Sequence, residues 1–183
     1  YTQILADLDF AETNLPASYS TALNNTIRAH KNTAIALKTR VYLSMGRHSN
    51  VITEANKIVS AAAPFRATAR VAHALQADVS AVFKAPYTTT ESIFSFPMDA
   101  TNAPGTQNQL GYYFNAGNVE YYLNIGATGV YNQAQFTATD DRKTKLTVAK
   151  TAVANAPSLT KFSGVAPFVD YVPNIRYAEV LLN

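Results

Sequence analysis

Two amphipathic runs separated by a single glycine turn constrain this chain more than any other feature. Ile27, Ala34, Leu37, Val41 and Met45 recur at helical spacing and share one face over about five turns. Gly46 follows at once and supplies the stop, because glycine enters the left-handed conformation without a Cβ penalty. Val51, Ala55, Ile58 and Ala62 form a second face, with Ser49 or Asn50 as its cap and Pro64 closing it. The spacing predicts an antiparallel helix pair, residues 28–46 and 50–62, joined through Gly46, Arg47 and His48. Ile4, Leu8, Ala11 and Leu15 give an earlier helix, with Asp7, Asp9 and Glu12 off its apolar face and Pro16 at its end. A further helix is expected around Val71, Leu75, Val79 and Phe83.

After Pro86 the texture changes. Residues 91–96 are a short apolar-aromatic run before Pro97 and read as a strand. From 97 to 136 the chain is rich in Gly, Asn, Thr, Gln and Tyr, with almost no charge and little periodicity. Irregular stretches of that length on a scaffold commonly carry function. Charge resumes at Asp140, Asp141 and Arg142. Short strands are expected at Leu146 and Val148 and at Lys161 and Phe162, and Pro173 precedes a helix start.

The fold class is therefore mainly α: helical hairpins of tetratricopeptide-like type with an irregular, loop-rich lobe containing a few short strands. Residues 1–86 form the helical part, 87–173 the loop-rich lobe that would bind ligand, and 174–183 the start of a truncated helix. The chain opens at Tyr1 in one helical pattern and closes at Asn183 in another, so it reads as the central part of a longer protein.

Composition narrows the chemistry. Apolar residues make up 48% of the chain, enough for a core. The 15 basic residues only slightly exceed the 12 acidic ones and are scattered, so no stripe for nucleic acid exists. Cysteine is absent, which excludes disulfides, thiolate catalysis and zinc–thiolate sites. No apolar run approaches membrane-spanning length. His30, His48 and His73 share no metal-ligand spacing, and each is assigned a surface or capping role. Asp140 and Asp141 are adjacent, so their side chains diverge and cannot flank one glycosidic bond. With no G-x-S-x-G and no phosphate-cradling glycine loop, the reading is a non-enzyme without metal or cofactor.

The tyrosine-rich segment carries the positive signal. A neutral sugar offers C–H faces that stack on rings and hydroxyls that pair with amides, so its site needs flat rings among amides on firmly held loops. Tyr112, Tyr113 and Asn115, then Asn118, Tyr121 and Tyr122, have that composition and are the candidate ligand-binding residues. The competing reading is that these rings fill the lobe's own core.

Three segments together resemble the SusD/RagB family. Arg28, Ala29 and Lys31, continuing through Ala34, Leu37, Arg40, Val41, Tyr42, Leu43, Met45 and Gly46, are similar to the family's helix pattern R-A-x-K-x-A-A-x-A-L-L-A-R-V-Y-L-x-M-G. Thr33, Lys38 and Thr39 depart from it and point to a face more solvated than usual. Glu91 to Phe94 resembles an E-x-I-F strand, and Arg176 to Leu182 an R-Y-A-E-V-L-L helix start. Asp141 with Arg142 resembles a recurring D-R element with an ion-pairing role, and Lys161 with Phe162 a K-[YF] strand. The resemblance implies an outward-facing lipoprotein of a Gram-negative outer membrane, anchored through an N-terminal part outside this chain. It implies capture of oligosaccharide for a SusC-like TonB-dependent transporter, with ligand-contacting loops soon after the E-x-I-F strand. Two alternatives stay open: capture of peptides, as RagB-like relatives suggest, and a repeat scaffold that only contacts a partner protein.

Overall fold

The structure, a computed structural model, describes residues 1–105, 109–115, 121–150 and 156–183. In chain order the elements are α1 (Thr2–Asn14), α2 (Ala22–Ile27), α3 (Lys31–Ser44), α4 (His48–Ala55), β1 (Ser92–Phe96) and α5 (Leu110–Asn115). Then follow α6 (Asp141–Leu146), β2 (Thr147–Lys150), β3 (Ala156–Leu159), β4 (Val172–Arg176) and α7 (Tyr177–Leu182). Among the described residues the regular structure is mostly helix with a few short strands, and irregular backbone makes up much of the rest. It divides into two compact units: residues 1–76, 86–96 and 172–183 make the first, and 77–85 with 97–171 the second.

In the first unit α3 and α4 pack on each other as a helix pair, but Ile27 belongs to α2, and of the expected α3 face only Ala34 is fully buried, with Ile35 and Ala36 beside it carrying the core. Gly46 makes the turn with φ of 68°, a conformation costly for any residue with a Cβ. The second helix is shorter than its apolar pattern. It ends at Ala55, and Ile58 and Val59 direct their N–H groups to the Ala55 carbonyl in a tightened last turn.

The largest departure from the sequence reading lies on α3. Lys38, Thr33 and Thr39, expected on a solvated face, are all buried. Lys38 sits 2.6 Å from Asp9 of α1 and 3.5 Å from Glu54 of α4, and also bonds Glu12. Lys57 completes the network, 2.8 Å from Glu54 and 3.0 Å from Glu12. Asp9 and Glu12 therefore face α3 instead of standing clear of it, and three helical segments meet on one ammonium group. Burial alone would weaken the Lys38 ammonium, but Asp9, Glu12 and Glu54 outweigh it and hold its pKa above the usual range. Burial likewise pushes the Glu12 carboxyl up, and the two lysines more than reverse it.

No helix forms over Val71–Phe83. Ala67 donates its N–H to the His73 carbonyl and Ala74 to the Thr90 carbonyl, so this backbone pairs sideways with loops instead of with itself. Among these residues only Ala81–Phe83 makes a 3₁₀ turn. His30 and His73 are not surface groups either. His30 caps α3, and both rings are buried, stacked 5.8 Å apart. His73 stacks in turn on Tyr177 at 5.9 Å.

The unit closes through β4 and α7. Sequence reading expects a helix from residue 174; instead β4 runs to Arg176, paired antiparallel with β1, and the helix begins at Tyr177. Arg40 forks onto Glu179 at 2.6 and 2.7 Å and reaches the Asn174 carbonyl at 2.7 Å. Arg176 pairs with Glu91 at 3.0 Å, and the Tyr177 N–H donates to the Glu91 carbonyl at 2.8 Å. Ile35, Ala36, Ile58, Ile93, Ile175, Tyr177 and Val180 form the core between them. Arg40, Glu91, Arg176, Tyr177 and Glu179, all members of the motifs behind the family resemblance, are thus ties of this unit.

The second unit is loop-rich. Val82, Phe83 and Leu146 form its small core. β2 pairs antiparallel with β3, so the strand expected at Lys161 and Phe162 lies earlier, at Ala156–Leu159. Lys143 is held by the carbonyls of Tyr131 and Phe136 and lies 4.2 Å from the centre of the Tyr131 ring.

Candidate functional site

Asp140 and Asp141 are consumed by local structure. Asp140 caps α6 and accepts from Arg142, whose guanidinium holds its carboxyl down to about 2. Asp141 pairs with Lys145 one turn on, at 2.9 Å, so the ion pair to Arg142 comes from Asp140 and not from Asp141. Asp140 stays ionised at neutral pH and has no proton to give as a general acid.

The tyrosines divide into two layers. Tyr112 and Tyr113 lie on α5, half-buried, with ring centres 5.8 Å apart edge to face. Tyr112 packs against Phe168 at 6.0 Å. Phe114 packs against Phe162 at 6.3 Å, and the Asn115 amide donates to the Phe162 carbonyl at 2.8 Å. Asn115 is thereby a structural tie of the lobe. Tyr121 lies across this base, 5.7 Å from Tyr113 and 5.6 Å from Phe114, and donates its N–H to the Tyr113 carbonyl. It remains 58% exposed, and its neighbour Tyr122 is 50% exposed.

Edge-to-face ring contacts fix a ring's tilt as well as its position. Tyr121 is therefore an exposed ring on a firm aromatic base. Tyr122 lines an open hollow of about 380 Å³ together with Leu123, Asn124 and Ile125. Leu123 anchors this strip by donating its N–H to the Pro157 carbonyl at 2.8 Å. The structure brings Tyr112, Tyr113, Asn115 and Tyr121 together and sets Tyr122 beside them. Asn118 lies outside the described residues. Phe162, read from the sequence only as part of a strand, and Phe168, which drew no reading, support the platform; their role was missed because they follow α5 by some fifty residues.

One glycine makes this base possible. A Cβ on Gly111 would lie 2.1 Å from the Ser163 carbonyl oxygen and 3.1 Å from the Phe168 ring. Gly111→Ala should therefore push α5 off residues 163–168, at a cost of about 2 kcal/mol by analogy with overpacked cores. Urea unfolding with near-ultraviolet circular dichroism of the tyrosines reads both effects. An unchanged spectrum and midpoint would show that the close approach does not exist.

No family model matches the chain, and no curated protein matches it. Among solved structures, the crystal structure of a SusD superfamily protein from Bacteroides fragilis is similar to it, with a TM-score of 0.78 and 30% sequence identity. The similarity covers 100% of this chain and 38% of that one, so the chain spans less than half the length of that relative. The chain is SusD-like over its whole length and has the fold of part of a SusD superfamily protein.

Proposed function

We propose that this chain is part of a cell-surface glycan-binding protein for nutrient uptake, and that the tyrosine platform of its loop-rich unit contacts the glycan. The observation that carries the reading is the exposed ring of Tyr121, held on a base of half-buried aromatics next to the exposed Tyr122, in a SusD-like fold. Tyr121 offers a ring face for the C–H side of a sugar, and Asn124 offers its amide beside Tyr122. In this reading the protein is not an enzyme. It sits on the outer membrane as a lipoprotein and hands its ligand to a SusC-like TonB-dependent transporter. The α3–α4 hairpin is then a tetratricopeptide-like unit.

Affinity gel electrophoresis against a panel of neutral soluble polysaccharides tests the reading, followed by calorimetry with an oligosaccharide of any that retards the protein. Burying a ring face against a sugar contributes on the order of 1 kcal/mol. Tyr121→Ala and Tyr122→Ala should each weaken binding about tenfold. Tyr112→Ala should act mainly by loosening the Phe168 contact, lowering stability more than affinity. Retardation by no polysaccharide, or variants at Tyr121 and Tyr122 that bind as the parent does, would refute the proposal.

A further inference from the structure

The first unit contains a cavity of its own, of about 300 Å³. Its walls come from residues 18–26, 70–73 and 88–92, all in the helical unit. The lining is dominated by hydroxyl groups, Ser18, Thr26, Thr88 and Ser92 among them. Among the described residues no carboxylate lines it, and Arg70 is its one charged group at neutral pH. This is unlike the rest of the unit, where the cations described above sit beside carboxylates.

Arg70 is placed from beneath. The buried Asn32 accepts from Arg70 Nη1 at 3.3 Å and donates to the Val71 carbonyl at 3.0 Å. The same Nη1 reaches the Lys57 carbonyl at 3.3 Å. Both contacts are long and use one nitrogen. Nε and Nη2 make no hydrogen bond to any described residue, so one edge of the guanidinium fork remains unused. Ser18 and Thr88 likewise bond no described residue. Thr26 donates its hydroxyl proton to the Ala22 carbonyl and keeps its lone pairs as acceptors.

A fork of N–H donors without a carboxylate nearby matches a carboxylate in two parallel bonds. Hydroxyls that can donate and accept match a polyol, whose own hydroxyls do both. The volume stands at the small end of ligand pockets, which run from about 300 to 1,000 Å³, and so suits one ring better than a chain. We propose that this cavity binds a sugar acid, with Arg70 on the carboxylate and Ser18, Thr26 and Thr88 on ring hydroxyls. The site is independent of the tyrosine platform and takes a different ligand class.

Calorimetry with D-glucuronate tests the assignment, with amide chemical-shift mapping to locate the bound ligand. Binding with a Kd of about 1 mM is expected, with shifts at residues 70–73 and 88–92. D-glucose and acetate should each bind at least about tenfold more weakly, since each lacks half of the recognised chemistry. Arg70→Gln should weaken glucuronate at least about tenfold, Arg70→Lys less, and Thr88→Val about threefold. Tyr121→Ala should change nothing, which keeps this result separate from that of the glycan platform. A disaccharide ended by glucuronate distinguishes a chain end, which would bind more tightly, from a free acid, which would bind better alone. The proposal fails if glucuronate produces no binding, or if its shifts map elsewhere. Glucose binding equally well, or Arg70→Gln binding like the parent, would also overturn it.

Discussion

Lys38→Met is expected to destabilise the protein by about 3–5 kcal/mol, the usual cost of removing one member of a buried ion pair. The substituted side chain fills the space, so the loss reports charge and not volume. Without the ammonium, Glu12 and Glu54 share a partly buried site with only Lys57 to offset them. Asp9→Asn should cost far less, since the Asp9 side chain is mostly exposed and its bond to Lys38 is screened by water. Neutralising the set as a unit, Lys38→Met with Glu12→Gln and Glu54→Gln, should recover much of the loss, because a buried network replaced whole is often nearly neutral. Urea unfolding at neutral pH measures all three. A Lys38→Met variant within about 1 kcal/mol of the parent would show that the cation is not what joins these segments.

Acid should destabilise the first unit from about pH 6.5 downward. Burial holds the His73 imidazole down to about 4, and His30 is lowered for the same reason. In the unfolded chain a histidine takes its proton near pH 6.5. The unfolded state therefore binds protons that the folded state refuses, and stability present above pH 6.5 is lost as pH falls toward 4. For His73 alone the full difference corresponds to roughly 3 kcal/mol. Its Nδ1–H already donates to the Thr90 carbonyl at 3.0 Å, and Nε2, where the second proton would go, has no partner among the described residues. Urea midpoints between pH 7 and 4.5 should fall steadily. His73→Phe, which keeps a ring between His30 and Tyr177, should flatten that slope even if it lowers stability at pH 7. A parent midpoint that does not move between pH 7 and 5 would overturn the account.

Both effects were hidden from the sequence for a physical reason. A lysine in a helical pattern reads as solvent-facing, because nothing local reveals that Asp9, Glu12 and Glu54 will converge on it from two other helices. His73 lies in an apolar run with helical spacing, yet its carbonyl accepts from the Ala67 N–H and the Ala74 N–H goes to the Thr90 carbonyl, so spacing and backbone disagreed. What was legible depended on local rules: the Gly46 turn, the existence of helices on either side of it, and the strand at residues 92–96. Arg40 and Glu179 were legible as motif, but not as partners 139 residues apart. The tyrosine platform was half visible. Composition identified the rings, whereas the separation of Tyr121 and Tyr122 from the half-buried pair depends on Phe162, Phe168 and the close approach at Gly111.

The pairing of β1 with β4 sets an order of events during synthesis. Phe96 and Val172 are partners in that ladder, so the 75 residues from 97 to 171 are made after one strand and before its mate. Until Tyr177 emerges from the ribosome, Ile35, Ile58 and Ile93 lack the side that β4 and α7 provide. The nascent chain must hold an open apolar surface through that interval, which is the circumstance in which chains need chaperones. Joining the two strand ends by a short turn in place of residues 97–171 would shorten the wait, and the first unit should then fold faster.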